Sequence, residues 1–255
     1  MPLEIVTIPC LRDNYAYLVH SAETGETALI DAPEAAPVLA VLQAKGWKLT
    51  EIWLTHHHWD HVDGAAELKE STGAKLVGAA ADAHRLPALN QTVAEGVEYN
   101  FAGHGVKIFD VSGHTVGHIA FYLADANAVF TADSLMALGC GRLFEGTPEQ
   151  MWHSLSKLAA LPAATMVYSG HEYTASNAKF AISQEPDNKS LQARCEYIEK
   201  TRAAGKATVP SSLGEELATN PFLRAGLAEF KTAVGMGNAS DVAVFTEIRS
   251  RKDNF

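Results

Sequence analysis

The sequence predicts an α/β fold in which strands and helices alternate over the first two thirds of the chain and helices alone follow. Short apolar, β-favouring runs bounded by Gly, Pro, Asn or Asp recur in the first part. Helical patterns replace them later in the chain, at residues 175–183, 189–204 and 241–252. We therefore expect two domains, one of residues 1–170 and a helical one of residues 171–255.

The elements of the first part follow from short-range patterns. Closely spaced strands with short turns open the chain, which predicts an antiparallel start. A helix is expected from Pro148 to about residue 161, because Thr147, Pro148 and Gln150 form a capping-box pattern with proline at the first helical position. The predicted strands are 3–8, 14–19, 27–31, 51–55, 75–78, 106–111, 119–123, 128–131 and 166–169, and two earlier helices are predicted at 37–45 and 65–70.

Composition limits the class of function. The 255 residues carry a net charge of −10, which argues against a broad nucleic-acid surface because such surfaces need clustered Lys and Arg. Cys10, Cys140 and Cys195 are few and far apart, which is no disulfide framework and agrees with a reducing compartment. No signal-peptide pattern or apolar run of bilayer length is visible. We expect a cytoplasmic protein that binds neither nucleic acid nor membrane.

The strongest motif is His56-x-His58-x-Asp60-His61, directly after the predicted strand 51–55. Side chains two apart on an extended segment point the same way, so His56 and His58 converge. Asp60 and His61 follow where the chain turns towards a helix. Three imidazoles and a carboxylate so close in sequence suit borderline divalent metals. A solvated histidine-rich loop is the alternative, but it would not need an aspartate at this offset.

Three further candidate ligands, His114, Asp133 and His171, each follow a predicted strand. Loops at strand ends are where the sites of layered α/β proteins collect. Any one of these residues alone would be read as a turn or a hydrogen-bonded core residue, but with the first cluster they indicate a two-metal site. His57 is expected to pack or to support its neighbours, and His118, just inside a strand, is expected to be structural.

The order of these motifs resembles that of the metallo-β-lactamase superfamily over about residues 1–171. A narrower resemblance, to the hydroxyacylglutathione hydrolase (glyoxalase II) family, covers nearly the whole chain. It is carried by segments 8–15, 113–115, 139–147, 170–174, 220–224 and 249–253. The resemblance implies a four-layer αβ/βα sandwich with a C-terminal helical domain that binds substrate. It also implies hydrolysis of S-D-lactoylglutathione to glutathione and D-lactate, a step of methylglyoxal detoxification.

The resemblance further implies roles for the metal ligands. Two divalent metals, zinc or else iron or manganese, would share a water of lowered pKa, and the resulting bridging hydroxide would attack the thioester carbonyl. Asp60 would also orient that hydroxide as a catalytic residue. The implied ligands are His56, His58 and His114 for one metal, Asp60, His61 and His171 for the other, and Asp133 for both.

For the two carboxylates of glutathione, the resemblance assigns Arg142, Tyr173, Arg249 and Lys252 to substrate binding. By sequence alone, Arg249 and Lys252 would instead be a solvated helix end favoured by the helix dipole. Phe144 stands where the family is expected to have tyrosine, which removes one hydrogen bond to the peptide. Arg142 stands where lysine is expected, so the charge is kept and its geometry changes.

Other functions share parts of this pattern. A ribonuclease of the superfamily would need a basic face, and a lactonase or β-lactamase would not need the cationic pair Arg249 and Lys252. A mono-iron persulfide dioxygenase should lack the long helical domain and the full second metal site. A non-enzymatic metal scaffold is disfavoured by the complete ligand set. The expectation is a monomeric enzyme that acts on a small glutathione thioester.

Overall fold

The computed structural model describes residues 3–255. The chain forms two compact units, each built from two stretches of sequence. The first unit comprises the described residues up to Asp110 together with Val116–Thr131, and the second comprises Val111–Thr115 and Ala132–Phe255. The predicted boundary at residue 170 concerns the change from a mixed to a helical pattern and stays a prediction.

A six-stranded mixed sheet forms much of the first unit. Its strands, in spatial and sequence order, are β1 (Glu4–Cys10), β2 (Asn14–His20), β3 (Glu26–Ile30), β4 (Lys48–Leu54), β5 (Lys75–Ala79) and β6 (Gln91–Val93). The pairings from β1 to β3 are antiparallel, which confirms the predicted start. Those from β3 to β6 are parallel. Parallel neighbours need crossover connections, which explains the helices that follow β3 and β4.

Three helices belong to this unit: α1 (Ala35–Lys45), α2 (Trp59–Val62) and α3 (Ala65–Thr72). Buried side chains of α1 and α3, such as Val38, Leu42 and Leu68, pack in one cluster with those of the sheet, including Leu18 and Leu29. α1 ends at a glycine with φ 66°, where its backbone N–H returns to the last turn. This packing buries apolar side chains between the two helices and the sheet.

Four further strands of the first unit pair antiparallel in sequence order. They are β7 (Tyr99–Phe101), β8 (His104–Asp110), β9 (Ile119–Leu123) and β10 (Ala128–Ala132). Trp53 of β4 is fully buried and its ring centroid lies 5.1 Å from that of Phe121 and 5.3 Å from that of Phe101. These aromatic contacts join the two sets of strands in one core.

The second unit contains short strands and most of the helices. Its elements are β11 (Leu135–Met136), β12 (Gly139–Cys140), α4 (Pro148–Ala159), β13 (Met166–Ser169), α5 (Thr174–Gln184), α6 (Lys189–Ala203), β14 (Ser211–Ser212), α7 (Leu213–Thr219), α8 (Ala228–Ala233) and α9 (Asp241–Asp253). The predicted capping box at Thr147 is confirmed, since its side chain accepts from the Gln150 N–H and the Gln150 side chain returns to Thr147. None of the helices in residues 3–255 has the length and apolarity that a bilayer span requires.

The predicted long elements are confirmed within one to three residues at most ends, and the short ones were missed. The missed elements are α2, α7, α8, β6, β7, β11, β12 and β14. The two-residue β14 pairs with β13, which corrects the expectation that no strand follows residue 171. Such short elements carry too few residues to show a period, and tertiary pairing forms them.

Candidate metal centre

The first group of predicted ligands lies in the first unit, with His56 and His58 on the segment that joins β4 to α2 and Asp60 and His61 in α2 itself. His56 and His61 are buried, and their ring centroids lie 4.3 Å apart. The ring of His58 lies 4.8 Å from that of His56. Oδ2 of the half-buried Asp60 lies 3.9 Å from Nε2 of His61. The structure thus brings together the four side chains of the His-x-His-x-Asp-His motif, as their spacing predicted.

Asp31, which follows β3, contacts the candidate ligand His61 and is absent from the predicted site residues. Its Oδ2 lies 2.8 Å from Nδ1 of His61 and 2.9 Å from the hydroxyl of Thr55, and its Oδ1 accepts from the Thr55 backbone N–H at 2.9 Å. A carboxylate only accepts, so Nδ1 of His61 carries the proton and Nε2 keeps its lone pair. Asp31 could have been found, because it is the last residue of the predicted strand 27–31 and Asp133 likewise lies at a predicted strand end.

The same carboxylate acts on His56 through Thr55. The hydroxyl of Thr55 donates to Asp31 and lies 2.9 Å from Nδ1 of His56. Since the hydroxyl proton is used on Asp31, the oxygen accepts from Nδ1 of His56, and Nε2 of His56 also keeps its lone pair. The buried Asp31 therefore orients both His56 and His61 so that each can bind a metal through its Nε2.

Asn14 of β2 forms hydrogen bonds to Asp60, the carboxylate of the motif. Its side-chain amide donates to the backbone oxygen of Asp60 at 3.0 Å and to Oδ2 of Asp60 at 3.1 Å. Asn14 is buried, so these bonds are shielded from water. They fix the orientation of the carboxylate that the resemblance makes both a ligand and a catalytic group.

The two remaining histidines of this region lie beside the motif. His57 was expected to pack or to support its neighbours, and His118 to be structural. Nδ1 of His57 lies 3.1 Å from Oδ2 of the buried Asp82. The buried His118 stacks on His56 with ring centroids 4.5 Å apart, and its Nδ1 lies 3.1 Å from the backbone oxygen of Ile119. Both rings pack beside the predicted ligands and hold their neighbours in place.

The second group of predicted ligands lies in the second unit. His114, Asp133 and His171 are all buried. Oδ2 of Asp133 lies 3.4 Å from Nε2 of His114 and 3.3 Å from Nε2 of His171. Nδ1 of His114 lies 2.8 Å from the backbone oxygen of Arg142, so Nδ1 carries a proton, and Nε2 is the ring nitrogen that faces Asp133. An imidazole nitrogen that faces a carboxylate oxygen is an arrangement that a cation would satisfy.

A glycine lets these groups approach one another. A Cβ on Gly141 would lie 2.0 Å from the backbone oxygen of Asp133 and 2.9 Å from Nδ1 of His114. No side chain fits at those distances. The backbone N–H of Gly141 donates to the oxygen of Ser134 at 3.1 Å, which closes the loop against the site.

Aromatic rings cover the imidazoles of the second group. The ring of Tyr173 stacks on that of His171 with centroids 4.6 Å apart and an angle of 5°. The ring of Phe144 meets His114 edge-on with centroids 5.2 Å apart. Both aromatics are exposed, Phe144 at 63% of its surface. Tyr173, a predicted substrate residue, and Phe144 therefore present accessible rings beside buried candidate ligands.

The structure brings the three predicted substrate cations to one end of α9. Nη2 of Arg249 lies 2.9 Å from Oδ1 of Asp253, and Nε of the exposed Arg142 lies 3.8 Å from the same oxygen. Nη1 of Arg249 donates to the backbone oxygen of Cys140 at 3.0 Å. The side chain of Lys252 is half-buried. Burial, then the charges of Arg249 and Arg142, lower the pKa of Lys252.

Arg249 differs from the picture of a solvated helix end. It is only 5% exposed, and its guanidinium lies 5.0 Å above the ring of Phe222. The reading of this residue as an exposed cation is therefore wrong.

Burial also raises the pKa of the Cys140 thiol to about 11, although the neighbouring Arg249 opposes this shift. Cys140 is accordingly a thiol at neutral pH.

Comparison with known proteins first defines the class. The model of the metallo-β-lactamase superfamily matches residues 11–171. The structure is similar to that of ETHE1 from Myxococcus xanthus, with a TM-score of 0.69 and 25% identity over 98% of this chain and 90% of that one. It is also similar to TTHA1623 in a di-iron-bound form, with a TM-score of 0.63 and 27% identity over 86% of this chain and 100% of that one. The predicted metallo-β-lactamase fold, with mixed sheets and a C-terminal helical region, is thus confirmed.

The remaining comparisons define the family. The model of the hydroxyacylglutathione hydrolase C-terminus matches residues 172–255. Hydroxyacylglutathione hydrolases of Ruegeria pomeroyi and Roseobacter denitrificans are 61% and 62% identical over 255 residues, the full length of both chains in each comparison. That of Methylococcus capsulatus is 51% identical over 253 residues, 99% of each chain. The chain belongs to the hydroxyacylglutathione hydrolase (glyoxalase II) family, the narrower of the two resemblances predicted from its sequence.

Proposed function

We propose that this enzyme hydrolyses S-D-lactoylglutathione, and related S-2-hydroxyacylglutathiones, to glutathione and the free 2-hydroxy acid, in methylglyoxal detoxification. The observation that carries the proposal is the match of residues 172–255 to the hydroxyacylglutathione hydrolase C-terminus. The metal motif alone is common to superfamily members with other substrates. The C-terminal match separates this chain from those members.

We propose two divalent metal ions, zinc or else iron or manganese. The donor chemistry supports this, because His56, His61 and His114 each use Nδ1 on an oxygen acceptor and keep Nε2 for a metal. Nitrogen and oxygen ligands suit all three metals. When bound, the ions supply a water of lowered pKa and a Lewis acid for the carbonyl oxygen. The proposed ligand sets are His56, His58 and His114; Asp60, His61 and His171; and Asp133, shared by both.

Asp60 is the proposed catalytic carboxylate. Asn14 donates one hydrogen bond to this carboxylate and one to the backbone oxygen of Asp60, so the orientation of the carboxylate is set before substrate binds. From this position it accepts a hydrogen bond from the attacking water and orients the lone pair that forms the new C–O bond. The bond that breaks is the C–S bond of the thioester. The departing thiolate has a pKa of about 8.5, so it leaves without a strong general acid.

Arg142, Arg249, Lys252 and Tyr173 are the proposed substrate residues. Glutathione carries two carboxylates, and three cations around Asp253 form a positive region that suits them. Tyr173, stacked on His171, offers a hydroxyl close to the proposed metal ligands. Phe144 offers a ring but no hydroxyl, so the peptide is expected to make one hydrogen bond fewer at that position.

The direct test is hydrolysis of S-D-lactoylglutathione, followed by loss of thioester absorbance, with metal analysis of the same sample. Fast hydrolysis with close to two metals per chain is expected. Two metals without hydrolysis of the thioester would overturn the substrate and move the enzyme towards a lactone or phosphodiester. One iron per chain and no hydrolysis would favour a dioxygenase.

The broader organisation is also proposed. Residues 1–170 are taken as the metal-binding catalytic domain and residues 171–255 as the helical substrate-binding domain. The three cysteines are free thiols, which supports a reducing cytoplasm. The enzyme is proposed to act as a monomer on a small molecule, without nucleic acid or membrane. Light scattering after gel filtration tests the oligomeric state.

A further inference from the structure

Side chains from the C-terminal helical region hold the loop that leads away from Asp133. We name residues 135–142 the 135–142 loop; it contains β11 and β12. In residues 136–140 of this loop, one backbone N–H or C=O group of each residue forms a hydrogen bond to a buried side chain. The bonds are from Asn220 to the oxygens of Met136 and Gly139, each 3.0 Å; from Asn177 to the oxygen of Ala137, 3.0 Å; from the Leu138 N–H to Glu216, 2.9 Å; and from Arg249 to the oxygen of Cys140, 3.0 Å.

Asn220 is central among these side chains. It is fully buried, and its Nδ2 donates to two loop carbonyls and lies 3.0 Å from Oε2 of Glu216. Glu216 is itself fully buried and is paired with Arg194, while Ser211 donates to it at 2.6 Å. The side-chain amide of Asn220 is therefore held by Glu216, which Arg194 and Ser211 hold in turn.

The loop has a conformation that needs such support. Leu138 has φ 54°, in the left-handed region that side chains other than glycine rarely adopt. A Cβ on Gly139 would lie 2.5 Å from Nδ2 of Asn177, so the helix lies directly against the loop. The helical side chains keep the backbone where it would not stay by its own preference.

The loop in turn holds the candidate metal centre of the second unit. It begins two residues after Asp133, and the Gly141 N–H donates to the oxygen of Ser134 at 3.1 Å. It ends at Arg142, whose backbone oxygen lies 2.8 Å from Nδ1 of His114. A shift of the loop would therefore move the acceptor that sets the tautomer and the orientation of His114.

We propose that Asn220 is a positioning residue for the hydrolysis, since its side-chain amide fixes the 135–142 loop and so sets the orientation of His114 and the place of Arg142. The hydrogen bonds from Asn220 to the loop reach neither His114 nor Arg142, so Asn220 acts on both through the loop backbone. The catalytic part of this proposal rests on the proposed function, whereas its effect on the loop and on metal binding does not.

The test uses Asn220→Asp in the metal-loaded, full-length enzyme. Aspartate keeps Oδ1, which accepts from the Phe222 N–H at 3.0 Å, and replaces the amide that donates to the loop and to Glu216 with a second carboxyl oxygen. The matched control is Arg224→Lys, which disturbs another buried pair of the helical region, Arg224 with Glu185 at 2.9 and 2.8 Å. Asn177→Ala, which removes one loop bond, replaces Asn220→Asp if that variant does not fold.

Asn220→Asp is expected to weaken metal retention against a chelator and to lower kcat by about 10–100-fold, the usual effect of losing a residue that orients a ligand. The Leu138 amide should exchange its hydrogen faster in this variant. In Arg224→Lys, metal retention, kcat and Leu138 exchange should stay within about twofold of the starting enzyme, because its contacts lie outside the loop.

The outcomes separate the two proposals. If the unmodified enzyme does not hydrolyse the glutathione thioester, the proposed function fails, whereas faster Leu138 exchange and weaker metal retention in Asn220→Asp still support the role of Asn220 in holding the loop. Unchanged exchange and metal retention in Asn220→Asp would overturn that role. Equal losses in Arg224→Lys would also overturn it, since general destabilisation would then explain the effect.

Discussion

Oδ2 of Asp31 lies 2.8 Å from Nδ1 of His61, and the same oxygen accepts a bond from the hydroxyl of Thr55. Through Thr55 it also sets the tautomer of His56. Asp31 and His61 lie thirty positions apart in sequence. One carboxylate outside the predicted ligand set therefore prepares two of its members.

Asp31→Asn should weaken metal binding by about 10–100-fold. Either orientation of the amide places its NH₂ against a donor, because both oxygens of Asp31 accept hydrogen bonds. Metal retained during chelator titration measures the loss. The control is Asp125→Asn, which changes an exposed aspartate at 2.8 Å from His104. Equal retention in both variants would show that Asp31 does not orient the ligands.

Gly141→Ala should lower metal content and activity by at least about tenfold, because the new methyl group overlaps the backbone oxygen of Asp133. Metal analysis and steady-state kinetics on the purified variant measure this. Gly105→Ala is the matched control, since a Cβ there has no heavy atom within 4 Å. A fully loaded and active Gly141→Ala enzyme would mean that the loop relaxes without disturbing His114.

Phe144→Tyr should lower the KM for the glutathione thioester by about twofold to tenfold, the range of one added hydrogen bond. The ring is 63% exposed, so a hydroxyl is expected to fit without loss of stability or metal. Initial rates over a range of substrate measure KM and kcat. Tyr197→Phe removes a hydroxyl from another exposed ring, at 61%, and should leave KM unchanged. An unchanged KM in Phe144→Tyr would place the peptide away from this ring.

Lys252→Ala should raise KM by about tenfold with little change in kcat, because a charge-assisted bond to a substrate carboxylate is lost. Metal content should not change. Lys200→Ala, at a side chain 80% exposed on α6, is the control. Unchanged KM in Lys252→Ala would remove Lys252 from the substrate site.

The same residue predicts the direction of a pH effect. The pKa of Lys252 is lowered by burial and by Arg249 and Arg142, so its ammonium is lost at a lower pH than that of an ordinary lysine. KM should therefore rise as the pH increases through this lowered pKa, and Lys252→Ala should show a flatter profile. An identical alkaline rise of KM in both enzymes would assign the effect to another group.

Short-range patterns predicted most of the helices and strands and the positions of the proposed metal ligands at strand ends. The strand-then-turn spacing of residues 51–61 already implied that four side chains meet, and the structure confirms that meeting within the first unit. Short elements such as β14 and α8 were missed, since they carry no period of their own. Asp31 lies at a predicted strand end, but its partner His61 is distant in sequence, so the pairing of the two was missed.

By itself, the sequence determined the fold class and the candidate ligands, because spacing along a strand or a turn is a local property of the chain. The family followed from the resemblance of its motifs. Only the tertiary structure decided which groups orient those ligands. Asn14 reaches Asp60, Asn220 reaches Met136, and Arg249 is buried against Cys140, 109 positions away. Such contacts depend on how distant segments pack, and no local period encodes that packing.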